Sequence, residues 1–229
     1  MALLNPNETA KFVKSLELDK EHIDTGSGSL FGIPDKRVPG TSRLFLVISS
    51  GGSGQAAIQK AMMTAKKKMR DDFSVYTKFL VIDSADQELD RLERKGINTL
   101  NISSPGIQNR FPNRGAFYRR FVPRDGVNLA ELAGNGSNRT RMNSKIKLYD
   151  YNGKTTNDQA LRDKINSLFN NEWAPYHNLP VDIMILTGLS GGNGSGTFID
   201  LAVIARSACP DPNNVQVFGF LMLPDTVES

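Results

Sequence analysis

Short apolar stretches alternate with segments of helical periodicity along most of this chain. Leu44, Phe45, Leu46, Val47 and Ile48 make the run at 43–50 continuously apolar, as in a strand covered on both sheet faces by helices. From 55 to 70, Ala57, Ile58, Ala61, Met62, Ala65 and Met69 return mostly every three or four residues, which predicts a helix with one buried face. Phe79, Leu80, Val81 and Ile82 predict a second strand at 78–83, followed by a charged helix at 85–95 and a third strand at 97–102. Helical signals return across 157–169 and precede a strand at 181–187, a helix at 197–207 and a last strand at 215–223. This alternation predicts an α/β fold: a three-layer, Rossmann-like domain with a mainly parallel sheet, right-handed crossovers and helices on both faces.

The ends and the middle are organised differently. Phe12, Val13, Leu16 and Ile23 suggest a short leading helix, and residues 24–40 are rich in Gly, Ser and Pro, so 1–40 reads as a helix and linker ahead of a domain at 41–229. Residues 103–140 show no clear period and read as a long loop or small insertion. Within it Arg110, Arg114, Arg119, Arg120 and Arg124 alternate with Phe111, Phe117, Tyr118 and Phe121. The simpler reading has the aromatics anchoring the loop and the arginines facing water or a neighbouring subunit, with nucleic-acid stacking as the alternative.

Composition narrows the setting. A chain of 229 residues, 39% of them apolar, supports one good-sized core. The longest apolar runs are about nine residues, half of what a hydrocarbon layer of ~30 Å requires, so no membrane partner is expected. Cys209 is the single cysteine and residues 1–20 hold no unbroken apolar stretch, which together point to the cytoplasm. The net charge of +4 does not call for nucleic acid. Lys60, Lys66, Lys67, Lys68 and Arg70 crowd the far end of their helix, where they complement its dipole on a solvated face.

The chemistry is concentrated in glycine. Ser190, Gly191, Gly192, Asn193, Gly194, Ser195 and Gly196 run between a buried strand and a helix, where backbone N–H groups and the positive helix end favour an anion, commonly phosphate. Glycine lets oxygen approach the backbone closely, so a side chain at Gly194 is expected to stand where phosphate sits. Gly51, Gly52, Ser53 and Gly54, followed by Gln55, occupy the equivalent place after the first strand. Two such loops on one sheet edge can enclose one nucleotide.

Three other motifs overlap these residues. Gly52 to Ala57 fits the dinucleotide fingerprint G-x-G-x-x-A, with Asp83 closing the second strand where a ribose-binding acid would sit. That keeps an NAD- or FAD-dependent oxidoreductase open, although Asp83 lies about thirty residues from Gly52 where the pattern expects ~20. A P-loop fails because Thr197, not Lys, follows Gly196. Gly188, Ser190 and Gly192 match the nucleophile elbow G-x-S-x-G, but His22 and His177, the only histidines, both precede Ser190. No metal-ligand spacing is present, and no catalytic residue can be named.

The run from Ser190 to Gly196 resembles the G-G-G-T-G-S-G signature of the tubulin and FtsZ superfamily. The stretch from Gly51 to Gln55 resembles that family's first nucleotide loop, G-x-x-G-N, and Asp83, Ser84, Ala85, Asp86 and Gln87 resemble N-T-D-A-Q of the second. Gly134, Gly136 and Ser137 sit in order where a loop sensing the terminal phosphate would be, and the segment holding Asp225 and Glu228 resembles the tubulin loop near the ribose. The overall likeness is to bacterial tubulin-like proteins. It implies a GTPase domain binding GTP or GDP, with Mg²⁺ held through the phosphates, and head-to-tail self-association into filaments with hydrolysis completed between subunits. It also implies that a C-terminal activation domain is missing, so that the chain is a fragment with little or no activity alone. Asn193 replaces the usual Thr, and Gln55 the usual Asn. A non-polymerising nucleotide-binding scaffold stays open beside the filament.

Overall fold

The computed structural model describes residues 43–68, 73–111, 128–134, 136–137, 140–151 and 153–223. The leading segment expected at 1–40, most of the Arg/aromatic insertion, and Asp225 and Glu228 lie outside these residues.

Five strands form one parallel sheet: β1 (Leu44–Ser50), β2 (Thr77–Asp83), β3 (Asn98–Asn101), β4 (Val181–Gly188) and β5 (Val215–Met222). Between them lie the helices α1 (Gly51–Lys68), α2 (Phe73–Tyr76), α3 (Asp86–Glu93), α4 (Ile107–Arg110), α5 (Leu129–Ala133), α6 (Arg141–Tyr149), α7 (Asn157–Ser167) and α8 (Gly192–Ala208). The period of two in a strand sorts the apolar runs onto both faces. Leu44, Leu46 and Ile48 join Leu80, Ile82, Ile183 and Ile185 beneath Leu161 and Ile165 of α7 and Leu201 and Ile204 of α8. Val47 and Val81 face the other way, onto Ile58 of α1 and Leu89 and Leu92 of α3. The expected three-layer α/β architecture is the one observed.

The strand order is β3-β2-β1-β4-β5. The chain travels outward from β1 to β3, then returns to place β4 on the opposite side of β1. Connections leaving the carboxyl ends of β1 and β4 therefore diverge, which opens a crevice between them, where ligands bind in open α/β sheets. β1 and β4 pair over their length, from Leu44 with Val181 to Ser50 with Thr187, so both glycine runs emerge at one level.

Three features depart from the sequence expectations. The glycine runs were expected as loops ahead of helices starting near 55 and 197; α1 in fact begins at Gly51 and α8 at Gly192. Ile107 of α4 and Leu132 of α5, within the stretch expected to be irregular, close a small separate core with Ile146 of α6. Helix α6 escaped notice because its buried face carries Asn143, Ser144 and Lys147 beside Ile146 and Leu148, which breaks the apolar period.

Candidate functional site

A cleft of about 350 Å³ opens at the carboxyl ends of β1, β2 and β4. Its walls include Ser50, Gly51, Gly52 and Ser53 at the start of α1, and Gly188, Gly191, Gly192, Asn193 and Gly194 at the start of α8. Asp83, Ala85 and Glu88 from the end of β2 and α3, with Gly136 and Ser137 from the turn before α6, complete them.

Both helices point their positive ends into this space. Neither carries an acidic residue in its first turn, and α8 has no side-chain cap, so its leading N–H groups lack the usual local acceptor. The α8 start is held firmly. Thr187 Oγ1 donates to the Ser50 carbonyl at 3.1 Å, Ser50 Oγ and Thr197 Oγ1 lie 3.0 Å apart, and Thr197 Oγ1 donates to the Asn193 carbonyl at 2.8 Å. From α6, Ser144 Oγ lies 2.8 Å from the Gly192 carbonyl. Asn193 is the exception in this satisfied network. The residue is 5% exposed, and neither its side-chain amide nitrogen nor its oxygen has a partner. A buried amide in that condition costs about 1–3 kcal/mol, which an anion or ordered water in the cleft would offset.

The acidic flank is equally fixed. Asp83 is buried and accepts hydrogen bonds from Gln55 Nε2 at 2.7 Å and the Ser84 amide at 2.6 Å. Burial nonetheless raises its carboxyl above the usual value, against those two hydrogen bonds. The turn opposite hangs on Ser84, whose carbonyl accepts the Gly136 amide at 3.2 Å.

A family model described as "Tubulin like" matches residues 46–229. The chain belongs to the tubulin-like family. No curated protein matches this tubulin-like chain. Among solved structures, CetZ2 from Haloferax volcanii, in a GTPγS-bound protofilament, is similar at 14% identity and a TM-score of 0.49. The match covers 81% of this chain and 41% of that one, so the tubulin-like chain spans under half the length of the archaeal protein.

Of the residues singled out from sequence, Gly51, Gly52, Ser53, Asp83, Gly136, Gly191, Gly192, Asn193 and Gly194 come together on the cleft wall. Gly54, Gln55, Ser84, Ser190, Ser195 and Gly196 stand off it. Gln55 acts through Asp83, and Ser195 Oγ donates back to the Gly191 carbonyl. Ser190 is exposed. Gly54 and Gly196 serve packing: a Cβ on Gly54 would stand 2.5 Å from the Leu186 carbonyl of β4, and one on Gly196 would overlap the Arg141 carbonyl and Ser144 Oγ of α6. The expectation for Gly194 is also corrected, since an added Cβ there meets Thr187 Oγ1 and the Ser50 carbonyl, not open cleft. Gly52, Gly191 and Gly136 of the cleft wall have nothing within 4 Å of such a Cβ, and of these only Gly136 has a positive φ.

Sequence reasoning missed Ser50, Gly188, Ala85 and Glu88 as wall residues. Glu88 carried a usable signal, lying about one turn into the helix that follows Asp83. For Mg²⁺, the described residues offer no group of three or more His, Cys, Asp or Glu side chains able to hold a metal. Of the described carboxylates, Asp83 and Glu88 line the cleft, which fits a cation carried mainly by phosphate oxygens. Among the described residues no helix is long and apolar enough to cross a membrane.

Proposed function

We propose that the chain is the GTP-binding domain of a filament-forming, bacterial tubulin-like GTPase, with the cleft between α1, α3 and α8 as the nucleotide site. The observation that carries this reading is the pairing of two glycine-rich helix starts, free of acidic residues, with the buried, unpartnered Asn193 amide. Phosphates sit against Gly52, Gly191 and Asn193, where the helix ends supply positive potential. Mg²⁺ rides on the phosphates. Family membership supports GTP over ATP, head-to-tail assembly in the full-length protein, and hydrolysis completed by the next subunit.

Release of bound nucleotide from protein purified without added ligand, identified by chromatography and mass, tests the site. Recovered GDP or GTP is the expected result; NAD or FAD would favour an oxidoreductase and overturn it. Pelleting and electron microscopy of the full-length protein with GTP test assembly, and indifference to GTP would leave a scaffold in its place.

A further inference from the structure

Lys147 is marked by no motif, yet it is fully buried on α6. Its ammonium donates to the Gly134 carbonyl at 2.5 Å and to the Gly136 carbonyl. Asn143, one turn earlier on the same helix, is buried too and donates its Nδ2 to the Ser137 carbonyl at 3.3 Å. The turn that lines the cleft is therefore held to α6 by its carbonyls. In a trans peptide the C=O and N–H point in opposite directions, so fixing the Gly136 carbonyl on Lys147 turns the Ser137 amide away from α6. Gly136 and Ser137 both line the cleft.

A neutral amide suffices to tether such a turn, as Asn143 shows. Burying an ammonium is far costlier, and Asp83 and Asp86 offset that cost only in part, which leaves uncompensated positive charge behind the cleft-lining turn. We propose that Lys147 is a positioning residue of the nucleotide site, aiming the Ser137 amide at the outermost phosphate and lending that phosphate its buried positive charge. The proposal rests on the nucleotide reading above. The charges around Lys147 are Asp83 from β2 and Asp86 from α3, which favour the ammonium, while Asp150 at the end of α6 is paired with Arg110 of α4. Burial outweighs those carboxylates and brings the ammonium down from 10.5 to about 8. Lys147 thus discharges in a range where phosphates keep their charge, their second ionisation lying near pH ~6.

The test is calorimetric titration of wild type and Lys147→Met with GTP and GDP at fixed salt, from about pH 7 to about pH 9. The ratio of triphosphate to diphosphate affinity cancels titration of the base. In wild type that ratio is expected to fall about tenfold across the range, the equivalent of one pKa unit of coupling. In Lys147→Met it is expected to be low and flat. A wild-type ratio that does not change with pH, or a folded Lys147→Met that keeps the wild-type profile, overturns the proposal. Should that variant not fold, the wild-type profile decides alone. Wild type that binds neither nucleotide at pH 7 defeats the nucleotide reading itself, a result distinct from tight binding with a flat ratio.

Discussion

Alanine placed at Gly52 and, separately, at Gly194 distinguishes a glycine kept for a ligand from one kept for the fold. At Gly52 an added Cβ meets no atom within 4 Å, and the residue is not among the glycines with positive φ. Exchanging a poor helix former for a good one in the first turn of α1 then stabilises the protein by about 0.4–1 kcal/mol. For a chain of this size that is a rise in melting temperature of roughly 1–4 °C. The same methyl group stands where phosphate oxygens would approach the backbone, so nucleotide affinity should fall at least tenfold, about 1.4 kcal/mol. At Gly194 the Cβ overlaps Thr187 Oγ1 and comes within 2.7 Å of the Ser50 carbonyl. Overpacking costs about 1–3 kcal/mol. Displacing the hydroxyl that donates to Ser50 adds about 1 kcal/mol, for a fall of roughly 5–15 °C in all. Thermal melting without nucleotide, alongside calorimetric binding, reads both terms. Gly52→Ala that binds as tightly as wild type, or Gly194→Ala that melts with it, would refute the division of labour between the two glycines.

Asn193→Ala removes the unpartnered amide, so the ligand-free protein should melt no lower than wild type while nucleotide affinity drops by tenfold or more; a lower melting temperature with full affinity contradicts the assignment. Trp173 is fully buried, stacks edge-on to Phe169 at 5.1 Å and donates Nε1–H to the Val75 carbonyl at 2.8 Å. Trp173→Phe should cost about 2 kcal/mol in urea denaturation, through lost volume and an orphaned carbonyl. The pH dependence of stability carries its own sign. Lys147 in the folded chain titrates at about 8, below its ordinary 10.5, so between about pH 8 and pH 9 the unfolded chain holds a proton that the folded chain has released. Ligand-free stability should therefore rise with pH there, by at most about 1 kcal/mol, and Lys147→Met should abolish the rise. Above pH ~9 Cys209 opposes it, because burial pushes that thiol up to about 12 and the unfolded chain loses its proton first. A wild-type midpoint that falls steadily from pH 8 to pH 9 would count against a buried, charged Lys147.

The sheet was legible because its central strands β1 and β4 are buried, wholly or nearly so, on both faces and read as apolar runs at 43–50 and 181–187, while β5 keeps an apolar run although Phe218 and Phe220 are exposed. Their parallel pairing followed from the intervening helices. Helix α6 was not legible for the opposite reason: it buries Asn143, Ser144 and Lys147, which face hydrogen-bond acceptors and not a core, so an apolar period does not form. Helix boundaries misled where glycine is abundant. Low helix propensity argues for loops at 51–54 and 191–196, but tertiary packing overrides it, since α1 and α8 must lie close against β4 and α6.

That override explains why a glycine-rich signature locates a site correctly and still misassigns its members. Two separate demands are met in one run of residues. Gly54, Gly194 and Gly196 are small because protein atoms crowd them, and that closeness brings the uncapped start of α8 beside the start of α1, with the nitrogen of Gly194 only 3.1 Å from where a Cβ on Gly51 would stand. Gly52 and Gly191 face open cleft instead, where a ligand can approach the backbone. The packing glycines thus create the convergence of helix ends, and the open glycines leave it accessible. Substituting either kind damages binding, but only the first kind damages the fold as well. In the ligand-free protein, melting temperature therefore separates the two roles that sequence presents as one.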